Sequence, residues 1–292
     1  MLRLGVDIGG TNVAMGILDA EGQVLCKSTS PFRRADDAAS AVATVIAQAR
    51  DICKSAGITP HELKSIGIAV PGSVDTARGI VTGAHNLGFY NLPLRELVAA
   101  ALDVPVLLVN DADAATLAEW RLGALRGCQS AVLITLGTGV GGGIILGGRL
   151  WNGGRGKGVE LGHMLLKSGG RPCTCGNKGC VECYCAATRL CKDGKQDSAK
   201  AVFDAAEKGE VWAQSLLAEY VDDLGSALAS IIQLLDPERI ALGGGVSGAG
   251  DALLIPLREN TAQKCFFATC PDIVCATLGN DAGFIGAAML GE

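Results

Sequence analysis

Four cysteines lie within eleven residues of this 292-residue chain, in the stretch GGRPCTCGNKGCVEC. Such a density fits a disulfide framework, a redox pair or a metal site. The C-x-C-x4-C spacing with its glycines favours a tight loop around a metal, and a closed set of one histidine and three cysteines is typical of structural zinc. The predicted zinc ligands are His163, Cys173, Cys175 and Cys180. Cys183 and Cys185 remain competing ligands, and a set of free buried thiols is the alternative.

Three glycine-rich turns follow apolar stretches: DIGGTN at Asp7–Asn12, LGTGVGGG at Leu136–Gly143 and LGGGVSGAG at Leu242–Gly250. A glycine turn at a strand end leaves backbone N–H groups free and lets the chain approach a phosphate closely. A single turn of this kind is more often an ordinary connection, but three in one chain favour nucleotide binding.

The residues around these turns narrow the kind of nucleotide site. The chain contains no GxxxxGK[ST] motif, which excludes a P-loop. Two segments match GxGxxG, starting at Gly137 and Gly243. Dinucleotide folds need that motif between a strand and a helix, with an acidic residue about 20 positions later. A strand-like GIIL follows the first match and the second lacks the acid, so a dehydrogenase is disfavoured.

Two aspartates lie where apolar strands end. Asp7 adjoins the first turn, where a carboxylate would repel a phosphate unless a cation intervened, so it is a candidate for holding hydrated Mg²⁺. In LLVNDADAATLAE, a strand delivers Asn110 and Asp111 to its carboxyl end, where open α/β sheets bind ligands. Asn110 can hydrogen-bond sugar hydroxyls, and Asp111 can accept a proton from an attacking hydroxyl. The competing interpretations are a turn-stabilising Asp7 and helix capping by Asp111 or Asp113, with Asp113 the better placed.

Glu160 and His163 are three residues apart in GVELGHM. A helical turn would put both side chains on one face. The predicted zinc loop would then hold in place the segments that carry Glu160 and Glu182.

The elements that must position these residues have the pattern of an α/β protein. Aromatic residues make up 4% of the chain and glycines number 41, so the core relies on Val, Ile, Leu and Ala, as buried strands do. The segments Leu2–Leu25 and Ser130–Trp151 both follow the order strand, glycine turn, strand, turn. This weak repeat, at a period of about 130 residues, predicts two similarly built domains.

Apolar periodicity predicts the remaining elements. The predicted helices are Ala35–Ala56, Pro93–Ala101, Ala112–Leu122, Lys200–Lys208, Val211–Leu235, Ala252–Ala262 and Gly283–Leu290. The predicted strands are Lys64–Ala69, Val104–Asn110 and Arg239–Leu242. The strings CKDGKQDS and CPDIVC have the composition of surface loops.

Composition also bounds the partners and the compartment. The net charge is −5 without a basic stripe, which argues against nucleic acid as a partner. No apolar run reaches about 18 residues, so we expect no membrane span, and the apolar N-terminal stretch is too short for a secretory signal. We therefore expect a cytoplasmic protein, in which the twelve cysteines stay reduced.

With these pieces assembled, the chain resembles the ROK family of repressors and sugar kinases over essentially its whole length, and within it the bacterial glucokinases. The resemblance is carried by DIGGTN, VPGSVD, NLGF, VNDADAATLAE, LGTGVGGGII, GVELGHM, CTCGNKGCVE, LGGGVSGAG and GNDAGFIGAAML. The combination of E-x-x-H with C-x-C-G-x-x-G-C-x-E is highly specific to this family.

The resemblance implies an actin-like, RNase H-like α/β fold with ATP and sugar between two domains. The expected domains are residues 1–117, with the C-terminal helix 281–292 packing back onto them, and residues 118–280, with the zinc loop. The resemblance further implies that the protein transfers a phosphoryl group from ATP to the 6-hydroxyl of glucose, with Asp111 as general base. The implied cofactors are Mg²⁺ and structural Zn²⁺, and the implied assembly is a homodimer or homotetramer. The implied sugar-binding residues are Asn86, Asn110, Asp111, Glu160, His163 and Glu182. The implied ATP-binding residues are Asp7, Gly9, Gly10, Thr11, Asn12, Gly137, Thr138, Gly139, Gly243, Gly244 and Gly245.

The chain departs from the family pattern at three positions. Asn12 stands where many members have Lys, Phe89 where Trp is common, and Asp113 where Asn is usual. These departures concern the sugar more than the reaction, so N-acetylglucosamine, N-acetylmannosamine, fructose and allose stay alternatives to glucose. A non-catalytic sugar-sensing regulator is the rival class. Because the first strand begins at Leu2, we expect no helix-turn-helix ahead of it.

Overall fold

The computed structural model describes residues 1–32, 38–85, 87–156 and 158–291. The chain divides into two compact units. The first comprises Met1–Leu122, Leu150–Gly158 and Asn280–Glu292, and the second comprises Gly123–Arg149 and Val159–Gly279. No helix among the described residues is both long and apolar enough to cross a membrane.

A five-stranded mixed sheet forms the core of the first unit, in the order β3-β2-β1-β4-β8. Its strands are β1 (Leu2–Ile8), β2 (Asn12–Leu18), β3 (Val24–Pro31), β4 (Leu63–Val70) and β8 (Val106–Asn110). The first three strands pair antiparallel, whereas β4 pairs parallel with both β1 and β8. The near-continuous apolar runs of β1 and β4 are buried, as expected for strands covered on both faces.

Helices and a small second sheet complete the first unit. The helices are α1 (Ala38–Ser55), α2 (Leu94–Leu102), α3 (Asp111–Leu122) and α9 (Ala282–Ala288). The small antiparallel sheet consists of β5 (Ser73–Asp75), β6 (Ile80–Ala84) and β7 (Phe89–Leu92).

Helix α9 packs directly against β1, β4 and α3, and glycines make this approach possible. A Cβ on Gly5 would lie 1.8 Å from the carbonyl oxygen of Phe284, and one on Gly67 would lie 1.7 Å from that of Ala287. Such distances are far below van der Waals contact, so only glycine fits at these strand positions. The small residues of α9 thus serve close helix–sheet packing.

A four-stranded sheet in the order β10-β9-β11-β12 forms the core of the second unit. Its strands are β9 (Ser130–Leu136), β10 (Val140–Leu146), β11 (Arg239–Gly243) and β12 (Asp272–Cys275), and its helices are α4 (Glu182–Cys185), α5 (Ala187–Gly194), α6 (Ala199–Glu207), α7 (Val211–Leu235) and α8 (Asp251–Lys264). The hairpin of β9 and β10 is antiparallel, and β11 pairs parallel with β9 and β12. Each unit therefore opens with a hairpin closed by a glycine-rich turn, as the internal repeat predicts.

Two expectations from loop composition are wrong. CPDIVC contains β12, in which Ile273 is buried. The backbone carbonyl of Ile273 accepts hydrogen bonds from the guanidinium of Arg258. CKDGKQDS begins inside α5, which ends only at Gly194. Burial of Ile273 in the core of the second unit favours the strand, whereas CKDGKQDS continues a helix that begins four residues earlier at Ala187.

Candidate functional site

The first glycine-rich turn connects β1 to β2. The N–H of Gly9 donates to the carbonyl of Asn12 at 2.8 Å, and the N–H of Phe32 donates to the carbonyl of Thr11 at 2.7 Å. A Cβ on Gly10 would meet no atom within 4 Å. The turn therefore presents an open side, as a ligand-binding turn requires.

Asp7 lies near the end of β1, and Asp111 begins α3 directly after β8, the strand two positions from β1 in the same sheet. Burial and, secondarily, the charge of Asp111 raise the pKa of Asp7 to about 7. Burial also raises the pKa of Asp111, while hydrogen bonds from the Ala112 and Asp111 backbone and from the side chain of Asn110 oppose that rise. Two desolvated carboxylates that repel each other favour a shared proton or a bound cation. The structure thus brings Asp7 and Asp111 together, as their strand-end positions suggest.

Asn110 caps α3, whereas the sequence favours Asp111 or Asp113. The Asn110 Oδ1 accepts from the N–H of Ala112 at 2.9 Å and from the N–H of Asp113 at 3.3 Å. Its Nδ2 donates to the carbonyl of Gly72 at 3.0 Å. Asp111 Oδ1 also accepts from the N–H of Ala112 at 2.9 Å. Capping by Asn110 follows from the start of α3 at Asp111 rather than one or two residues later.

The predicted sugar-binding residue Asn86 lies outside the described residues.

The second glycine-rich turn, Gly137–Gly139, connects β9 to β10 and is contacted by the side chain of Glu182. The Glu182 Oε2 accepts from the N–H of Val140 at 3.1 Å. A Cβ on Gly139 would lie 2.3 Å from that same oxygen, so the glycine lets the carboxylate approach the turn. The structure therefore places Glu182, predicted to bind sugar, against the predicted phosphate turn.

The third glycine-rich turn follows β11. Gly244 has φ +81°, and a Cβ there would lie 2.5 Å from the carbonyl oxygen of Leu136. Gly243 ends the strand, and Gly245, where an added Cβ would meet nothing within 4 Å, begins a 3-10 turn. The turn is thus packed on one side and open on the other.

Glu160 directly precedes a short 3-10 turn, Leu161–His163, and His163 is the last residue of that turn. The N–H of His163 donates to the carbonyl of Glu160 at 3.0 Å. A Cβ on Gly162 would lie 2.0 Å from the carbonyl oxygen of Val140. This turn is therefore pressed against the first residue of β10, whose N–H is held by Glu182.

The four predicted metal ligands converge. Among the described residues, the ligand atoms of His163, Cys173, Cys175 and Cys180 all lie within 4.8 Å of one another. The Cys173 Sγ lies 3.7 Å from His163 Nδ1, and the Cys175 Sγ lies 3.6 Å from Cys180 Sγ. Sulfur ligands about 2.3 Å from a tetrahedral zinc ion would be about 3.8 Å apart, so the spacing and the donor set fit zinc.

The thiols of this set differ in acidity. Against the effect of burial, hydrogen bonds from Cys175, Cys180 and Cys183 lower the pKa of Cys173 to about 7. Burial and its thiol neighbours raise the pKa of Cys180 to about 12. The Cys183 Sγ donates to the carbonyl of Pro172 at 3.4 Å. The pKa of Cys185 is raised, mainly by burial. Cys183 lies beside the four-residue set, and Cys185 is fully buried.

Two residues that form hydrogen bonds to the second turn lie outside the sequence motifs. The Thr188 Oγ1 donates to the carbonyl of Thr138 at 2.7 Å, and the N–H of Ala187 donates to the carbonyl of Gly137 at 2.9 Å. Both residues lie at the start of α5, in a stretch of ordinary helical composition. Only the tertiary structure reveals them.

Solved structures define the class of protein. A ROK family glucokinase from Streptomyces griseus, solved in complex with glucose and AMPPNP, is 31% identical and superposes with a TM-score of 0.85, covering 99% of each chain. The chain therefore has the actin-like α/β fold of the ROK proteins, and that expectation is confirmed.

Sequence comparison then gives the family. The model of the ROK family matches residues 3–292, and the chain belongs to the ROK family. A glucokinase of Halalkalibacterium halodurans is 36% identical over 313 residues, covering 98% of this chain and 94% of its own. A glucokinase of Thermotoga maritima is 34% identical over 312 residues, covering 98% and 96%.

Proposed function

We propose that the protein is an ATP-dependent kinase that phosphorylates the 6-hydroxyl of glucose. The observation that carries the proposal is the Asp111 carboxylate, held at the carboxyl end of a parallel strand with one oxygen engaged by Ala112 and its pKa raised by burial. Similarity to glucokinases over nearly the full chain supports glucose as the acceptor.

In the proposed mechanism, the sugar's 6-oxygen attacks the γ-phosphorus of ATP, its proton passes to Asp111, and ADP leaves. A raised pKa makes the ionised carboxylate a stronger base. Such transfers depend mainly on positioning and on charge stabilisation around the phosphoryl group.

The glycine-rich turns would supply the nucleotide contacts through the backbone N–H groups that do not close the turns, since the N–H of Gly9 donates to Asn12 and that of Gly137 donates to Gly139. We assign the phosphates to the first turn (Gly9, Gly10, Thr11 and Asn12) and to the second turn (Gly137, Thr138 and Gly139). We assign the adenosine to Gly243, Gly244 and Gly245. Asp7 would hold Mg²⁺ through water, and the cation would offset the phosphate charge.

Sugar hydroxyls would be bound by Asn86, Asn110, Glu160, His163 and Glu182. Charged acceptors bind hydroxyls more strongly than neutral ones, which suits the two glutamates. His163 faces Cys173 with Nδ1, so a metal bound there would leave Nε2–H as a donor.

We further propose that zinc binds His163, Cys173, Cys175 and Cys180 as a structural ion. Four protein ligands leave no open position, so it would fix the loop rather than take part in the transfer. The twelve free thiols suit the reducing cytoplasm. We also propose a homodimer or homotetramer, as the resemblance to the ROK family implies.

The decisive experiment is ADP release with a panel of sugars and Mg·ATP. We expect glucose to give the highest kcat/KM, ahead of N-acetylglucosamine, N-acetylmannosamine, fructose and allose. A higher value for another sugar would reassign the acceptor. Sugar binding by calorimetry without ADP release would instead identify a sugar-sensing regulator.

A further inference from the structure

In the second unit, the start of α5 and Glu182 of α4 hold the glycine-rich turn that adjoins β10. The contacts are those of Thr188 Oγ1 with the Thr138 carbonyl at 2.7 Å, of the Ala187 N–H with the Gly137 carbonyl at 2.9 Å, and of Glu182 Oε2 with the Val140 N–H at 3.1 Å. Thr188 is exposed, so its bond to Thr138 is not needed to satisfy a buried polar group.

Because the peptide bond is planar, these contacts also fix the directions of backbone N–H groups in the turn. The carbonyl of Thr138 and the N–H of Gly139 share one rigid plane and point in opposite directions. Likewise, the carbonyl of Gly137 is fixed to the N–H of Thr138. A hydroxyl that fixes one carbonyl therefore fixes the direction of the next N–H, which is the group assigned to an ATP phosphate.

We propose that Thr188 is a positioning residue for the nucleotide, acting through the Thr138 carbonyl to aim the Gly139 N–H at a phosphate. This inference rests on the proposed function of the second turn. Thr188 has an exposed side chain and lies outside the sequence motifs, which distinguishes it from the residues assigned to substrate binding.

Thr188→Val tests the inference because it removes the hydroxyl and keeps the side-chain shape. The loss of one hydrogen bond should raise the KM for ATP and the Kd for Mg·ADP about 2- to 10-fold. The KM for glucose should stay within about twofold. Thr188→Ser should recover most of the nucleotide affinity because the hydroxyl returns.

Thr44→Val is the matched control, since Thr44 Oγ1 donates to the carbonyl of Ser40 at 3.0 Å on α1. It should leave both KM values unchanged. An unchanged Kd for Mg·ADP in Thr188→Val, or an equal rise of both KM values, would overturn the inference. Thr188→Ala repeats the test should the valine variant fold poorly.

Calorimetric binding of Mg·ADP separates this inference from the proposed function. A wild-type protein that binds Mg·ADP but phosphorylates no sugar would refute the kinase assignment. The effect of Thr188→Val on the Kd would still test the positioning role.

Discussion

The glycine-rich turns of the two units look alike in sequence but are held differently. Each turn is closed by an internal backbone bond, from the Gly9 N–H to the Asn12 carbonyl in the first and from the Gly137 N–H to the Gly139 carbonyl in the second. The first turn, Gly9–Asn12, lies at the end of the strand that carries Asp7, and a further bond to it comes from the backbone N–H of Phe32. The second turn, Gly137–Gly139, is fixed from outside by Glu182, Ala187 and Thr188. We infer that the first unit contributes titrating carboxylates, whereas the second contributes rigid backbone donors.

The largest effect should come from the loop that precedes Glu182. Cys175→Ser replaces an exposed member of the predicted zinc set, so little packing is lost. Structural zinc contributes about 10–16 kcal/mol to folding in small metal domains, and we expect several kcal/mol here. Wild-type protein should contain one zinc per chain by atomic absorption, and the variant should lose the zinc and unfold at lower urea concentration.

Cys191→Ser is the control for that variant, because Cys191 lies outside the four-residue set and should keep the metal. Zinc affinity should fall with decreasing pH, since protons compete for thiolates whose metal-free pKa values reach about 12 at Cys180. A Cys175→Ser protein with normal zinc content and stability would show that zinc does not fix the loop that precedes Glu182.

Asp111→Asn tests the carboxylates of the first unit. The amide keeps the shape but cannot accept the proton, so kcat should fall at least about 10²-fold. The KM for glucose and the melting temperature should change little. Asp51→Asn, an exposed change on α1, should leave kcat intact. Near-normal turnover by Asp111→Asn would rule out general-base catalysis at this position.

Gly162→Ala tests how closely the Glu160–His163 turn packs on β10. The new Cβ would lie 2.0 Å from the Val140 carbonyl oxygen, which must then move. We expect destabilisation of about 1–3 kcal/mol and a raised KM for glucose, measured by urea unfolding and steady-state kinetics. Gly154→Ala, where a Cβ meets nothing within 4 Å, is the control. Equal stability of the two variants would contradict the close approach.

Sequence reasoning succeeds where chemistry is local. The hairpin turns and the convergence of the four predicted metal ligands follow from residues close together in the chain, and the sequence pattern of the ROK family identifies the fold. It fails where distant packing decides the outcome. β12 becomes a strand because Ile273 is buried, and Asn110 caps α3 because its amide also reaches Gly72. Thr188 has no sequence signal, since its importance depends on a turn fifty residues away.

The smallest predicted effect concerns Asp7, whose folded pKa of about 7 exceeds its ordinary value. Since the folded protein binds this proton more tightly than the unfolded chain, the free energy of unfolding falls as pH rises from about 4 to about 7, and the effect then levels off. Without metal, Asp7→Asn should remove this loss, so the variant should gain on the order of 1 kcal/mol over wild type between pH 5 and pH 7. Urea unfolding at both pH values in buffer without added Mg²⁺ measures the difference. A constant difference between the two proteins would show that Asp7 stays ionised in the folded state, and the raised pKa would then be wrong.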